Sequence, residues 1–127
     1  MSTRILIVDD NPSNLKLARY VLEMAKYDIE VAEDAEKAIL IIDKMPFDLI
    51  LMDIQLPGMD GLTLTRKLKS EKRTTNIPVV AMTAYAMKGD DKKAYDAGCA
   101  GYIPKPIDTR KFPEQIESFL HAAPAIS

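Results

Sequence analysis

Apolar runs recur along the chain, and most of them break off at a polar or charged residue. Residues 4–8 (RILIV) stop at Asp9-Asp10 and residues 49–52 (LILM) stop at Asp53. Residues 77–82 (IPVVAM) stop at Thr83, and the shorter run 101–103 (GYI) is followed by Lys105-Pro106. Runs of this kind, apolar without alternation, predict strands covered on both faces, as in a parallel sheet. Residues 29–32, after the Tyr27-Asp28 turn, predict one more short strand. Pro78 stands at the entrance of its run, where a missing donor does least harm, and Pro57-Gly58 closes the stretch after Asp53.

Between these runs the apolar period lengthens to three and four. Leu15, Ala18, Val21, Leu22 and Ala25 share a helical face after the turn and cap residues Asn11-Pro12-Ser13. Ala35, Ala38, Ile39, Ile42 and Met45 define a second helix that must stop before Pro46. Leu62, Leu64, Thr65 and Leu68 define a third, running into the charged stretch 69–73. From 84 to 98 the pattern thins to Ala94, Tyr95 and Ala97, so this helix is expected to be the least firmly anchored, with Gly98 as its C-cap. Phe112, Ile116, Phe119 and Leu120 predict a last helix beginning near 111–113, because Pro113 fits only a first turn. Five strands alternating with five helices predict an α/β fold: a doubly wound, flavodoxin-like, five-stranded parallel sheet in the order 2-1-3-4-5.

That order makes the first and third strands neighbours, so Asp9, Asp10 and Asp53 converge at the carboxyl edge beside Thr83 and Lys105. Three such acids repel one another by about 1 kcal/mol per pair or more, and a cation must sit among them. Hard carboxylate oxygens with room for water suit Mg²⁺ (or Mn²⁺), with Asp10 and Asp53 as direct ligands and Asp9 direct or through water. A carboxylate beside such an ion can also attack phosphorus, and Asp53 is the candidate nucleophile. Lys105 then offers a fixed cation and Thr83 a hydroxyl to a phosphoryl oxygen.

Composition narrows the field. At 127 residues, 47% hydrophobic and 28% charged, the chain suits one domain (1–127, core about 4–121, short tail 122–127). A net charge of -2 gives no basic field for nucleic acid or anionic membrane. With a single cysteine, no leader pattern and no apolar run of spanning length, a cytoplasmic location is expected. Cys99, the methionines and His121 are read as packing or surface residues, and the charged stretches 69–73 and 88–93 as solvated faces.

Four segments, ILIVDDN (5–11), DLILMDIQLPGMDG (48–61), PVVAMTA (78–84) and GYIPKPI (101–107), closely resemble the receiver domain of two-component response regulators. The similarity extends over residues 4–121, and AYAMKGDD (84–91) is especially similar to stand-alone receivers of phosphorelays. The resemblance implies that Asp53 accepts a phosphoryl group from a histidine kinase or phosphotransfer protein. It implies that Asp9, Asp10, Asp53 and the Gln55 backbone carbonyl hold Mg²⁺, that Lys105 contacts the phosphoryl group before a cis Pro106, and that Thr83 and Tyr102 are switch positions. Gln55 and Tyr85 would modulate the lifetime of the acyl phosphate. The output face would be the fourth helix, fifth strand and fifth helix around Tyr95, Tyr102 and Phe112, presented to a downstream protein. Such a protein is a phosphoacceptor that promotes only its own phosphorylation and dephosphorylation. Pro104 and Pro113 depart from the family pattern.

Other functions fit the residues less well. A haloacid-dehalogenase type phosphatase needs a second acid where Gln55 stands, and a cap for which there is no spare length. A flavin carrier needs a phosphate loop where Asp9-Asp10 would repel phosphate. A degenerate receiver acting only as a docking module would not keep the acid cluster intact.

Overall fold

The computed structural model describes residues 3–83 and 90–121. Five strands, β1 (Arg4–Val8), β2 (Asp28–Ala32), β3 (Leu49–Asp53), β4 (Val79–Thr83) and β5 (Gly101–Pro104), alternate with α1 (Pro12–Met24), α2 (Ala35–Lys44), α3 (Gly61–Ser70), α4 (Asp90–Asp96) and α5 (Phe112–His121). All pairings are parallel and the order is β2-β1-β3-β4-β5. Successive strand residues face opposite sides, so the central strands of a sheet covered twice need apolar residues at nearly every rung, whereas the edge strand β2 leaves Asp28 and Glu30 exposed. Leu6, Val8, Ile50, Met52, Val79 and Ala81 pack under α2, α3 and α4. Ile5, Ile7, Leu49, Leu51, Val80 and Met82 pack under α1 and α5.

Helix starts follow their caps. The Asn11 side-chain oxygen accepts from the Ser13 and Asn14 amides at 2.9 and 3.3 Å, with Pro12 preset for the first turn. Asp34 and Asp60 accept from Lys37 and Thr63 amides, both at 2.8 Å. Helix α1 ends on Lys26 at φ +76°, where the Tyr27 amide reaches back to the Leu22 carbonyl. Gly98 at φ +106° does the same work after α4, with the Cys99 amide donating to Ala94.

The fourth strand begins at Val79 rather than at Ile77. The Ile77 amide closes a turn onto Thr74 at 3.0 Å, and Pro78 offers only its carbonyl, which accepts from Ile50 at 3.0 Å. Not all of the charged stretch 69–73, which begins in the last turn of α3, is solvated. Lys69 is half-buried, its ammonium donates to the Ile77 and Thr75 carbonyls at 2.6 and 3.1 Å, and burial lowers its pKa. Its aliphatic stem runs so close to Gly98 that a Cβ there would lie 2.7 Å from Lys69 Cγ. Arg73 ion-pairs with Asp43. Cys99 is buried packing, and burial pushes its thiol pKa up. Among the described residues no helix is long and apolar enough to cross a membrane.

Candidate functional site

The carboxyl ends of β1, β3, β4 and β5 bring Asp9, Asp10, Asp53, Thr83 and Lys105 to one edge of the sheet. One oxygen each of Asp9, Asp10 and Asp53 lies within 4.8 Å of the others. Asp9 and Asp53 are nearly enclosed, at 1% and 4% exposure, whereas Asp10 is exposed. Depth differs because Asp53 is still the last paired residue of β3, facing Met82 of β4, and the Asp9 amide still donates to the Ala32 carbonyl of β2 at 3.0 Å, while Asp10 follows beyond that last tie.

Local backbone donors aim the two buried acids. Asp53 Oδ1 accepts from the Gln55 amide at 3.0 Å, and Asp9 Oδ1 accepts from the Asn11 amide at 2.9 Å. The remaining oxygens face a cation: Lys105 Nζ donates to Asp9 Oδ2 at 2.6 Å and stands 3.2 Å from Asp53 Oδ2. Its backbone amide is tied to the Thr83 carbonyl at 2.7 Å, and the Lys105-Pro106 peptide is cis. Burial is the main cause that raises the Asp53 carboxyl to a pKa of about 6; the Gln55 amide and Lys105 act against it, and the Asp9 charge adds to it.

Three hard oxygens this close suit a divalent cation, and the donor set fits one: two enclosed carboxylates, one exposed and a neighbouring main chain. Lys105 contributes one cation to this cluster by bridging both buried acids.

Gly61 escaped sequence reasoning. Its amide donates to the Ile54 carbonyl at 2.9 Å, and a Cβ at this position would stand 2.0 Å from the Asp53 carbonyl oxygen. The signal was a glycine opening a helix directly after its cap, where no turn geometry demands one. Tyr102 is half-buried against the α2/α3/α4 layer and paired in register with Ala81, and Tyr95 is 51% exposed. Phe112, by contrast, is fully buried under the sheet with Ile116, so it presents no side chain to a partner. Tyr85 lies outside the described residues. Beside the acids an open cleft of about 940 Å³ runs between α3 and α4, its lining including Asp10, Gln55 and Thr83.

The chain belongs to the response regulator receiver domain family, whose model matches residues 5–117. It is 42% identical over 120 residues to the polar-differentiation response regulator DivK of Brucella ovis, covering 94% of this chain and 98% of that one. Among solved structures it is similar to a CheY-like response regulator receiver domain protein from Methanospirillum hungatei, with a TM-score of 0.88 at 32% identity over 96% of both chains. A two-component response regulator from Clostridium difficile superposes with a TM-score of 0.89 at 29% identity, covering 98% of this chain and 100% of that one.

Proposed function

We propose that the chain is a single receiver domain that takes a phosphoryl group onto Asp53 from a histidine kinase or a histidine phosphotransfer protein. The observation that carries this is the meeting of Asp53 with Asp9, Asp10 and Lys105 in one enclosed pocket. The Gln55 amide holds Asp53 Oδ1, so Oδ2 is the oxygen turned toward the cation side of the pocket. An electron pair of the carboxylate forms the new oxygen–phosphorus bond while the donor's leaving group departs with the pair of the bond that breaks. No proton need move on Asp53, and no separate general base is required. Mg²⁺ or Mn²⁺, held by Asp9, Asp10, Asp53 and the Gln55 carbonyl, would supply charge neutralisation at the phosphoryl oxygens. Lys105 exchanges its contact with Asp53 for one with the added group while keeping Asp9.

Thr83 and Tyr102 act as the switch. A phosphoryl dianion draws the Thr83 hydroxyl, and Tyr102, already half-buried, turns into the space released, which redistributes α4. The signal reaches a downstream protein through α4, β5 and α5, with Tyr95 and Tyr102 rather than Phe112 at the surface. Gln55 and Tyr85 set the lifetime of the acyl phosphate, Tyr85 by shielding it. The protein turns over no separate substrate. The same reading carries a cytoplasmic site of action without direct contact to nucleic acid or membrane, in keeping with a net charge of -2.

The test is acid-quenched peptide mass spectrometry after incubation with Mg²⁺ and acetyl phosphate. One phosphoryl group on the peptide carrying Asp53, absent from Asp53→Asn and from samples treated with a chelator, is expected. Modification elsewhere, or none, refutes the reading.

A further inference from the structure

The cleft beside the acid cluster carries two cations that the transfer chemistry above leaves unused. Arg66 on α3 and Lys93 on α4 both line it, together with Asp10, Gln55 and Thr83. Both are exposed, and among the described residues neither is held in an ion pair. Elsewhere on this surface cations find acids readily: Arg19 pairs with Glu23, Lys37 with Glu33, Lys67 with Glu71 and Arg73 with Asp43. Two cations on the helices that wall one opening, beside an acidic pocket, are placed to meet an anion that enters the cleft.

Resting on the reading that Asp53 is the acceptor, we infer that Arg66 and Lys93 are specificity-determining residues that favour small acyl phosphates as donors. The chemistry separates donors by what leaves. When the Asp53 carboxylate forms its bond to phosphorus, the bond from phosphorus to the acyl oxygen breaks, and a carboxylate departs with the electron pair and a full negative charge. A guanidinium can grip that carboxylate through two parallel N–H donors, and an ammonium adds a point charge. Phosphohistidine releases imidazole and phosphoramidate releases ammonia, both neutral once protonated by solvent, so the two cations give those donors little. Because Arg66 rides on the firmly packed α3 and Lys93 on the short α4, the guanidinium carries the larger share.

Phosphorylation rates of the whole chain with acetyl phosphate and with phosphoramidate, both with Mg²⁺, test this. The double variant Arg66→Gln with Lys93→Gln is expected to lose about tenfold in second-order rate with acetyl phosphate and to keep its rate with phosphoramidate. Arg66→Lys restores part of the loss, and added salt slows the parent more than the double variant. An equal loss with both donors, or no loss with acetyl phosphate, overturns the assignment while leaving Asp53 as acceptor. A parent that gains phosphate from neither donor at Asp53 removes the reading beneath it as well.

Discussion

Helices α3 and α4 wall the same cleft, yet they are built in opposite ways. Helix α3 buries Gly61, Leu62, Leu64, Thr65 and Leu68, is capped by Asp60, and meets the end of β3 with no room for a Cβ between them. Helix α4 is seven residues long and, among the described residues, buries Ala94 alone, with Ala97 and Cys99 following. Asp53 is thus fixed by the wall that cannot give. The wall with few apolar anchors is the one whose conformations a modest coupling, of about 1 to 3 kcal/mol, can redistribute.

The largest way to break this contrast is to force the rigid wall apart. Gly61→Ala puts a methyl against the Asp53 carbonyl oxygen and Met52 Cγ, contacts of 2.0 and 2.9 Å that neither backbone nor core can relieve cheaply. A loss of about 3 kcal/mol in urea unfolding is expected, together with slower phosphorylation because Asp53 is displaced. Unchanged stability would show that α3 sits loosely on β3.

A smaller effect comes from the charge stored against that wall. With its carboxyl raised from 3.8 to about 6, folded Asp53 keeps a proton that the unfolded chain has already released. Stability therefore falls as pH rises from about 4 to about 6 and stays lower above that. In metal-free buffer Asp53→Asn is expected to be more stable than the parent by roughly 2 kcal/mol at pH 7.5, and to lack this part of the pH slope. Added Mg²⁺ should narrow the gap by stabilising only the parent. A variant no more stable than the parent at pH 7.5 would mean that Lys105 fully compensates the buried charge.

What sequence could and could not convey follows the same division. The central strands β1, β3 and β4 were legible because strands covered on both faces leave little place for a polar residue, and Asp9-Asp10 and Asp53 stood out as the places where two of those runs stopped. Alternation of strands and helices called for a parallel sheet, and the flavodoxin-like order chosen for it is the one observed, which brings Asp9, Asp10, Asp53, Thr83 and Lys105 together. Features set by distance across the fold were not legible. The bridge from Lys105 to both buried acids and the stem of Lys69 against Gly98 depend on packing between elements far apart in the chain, whereas the burial of Phe112 agrees with the apolar stripe of its helix rather than with a place on the output face. Strand β4 starts two residues later than its apolar run, because apolar character does not reveal that Ile77 spends its amide on a turn.

Amide hydrogen exchange in Mg²⁺, with and without beryllofluoride as a stand-in for the phosphoryl group, measures both walls at once. Exchange in residues 62–68 of α3 is expected to be slow and nearly unchanged, while residues 92–98 exchange fast before loading and several-fold differently after it. Equal protection of the two helices before loading, or a response confined to α3, would contradict a fixed acceptor wall facing a movable signalling wall.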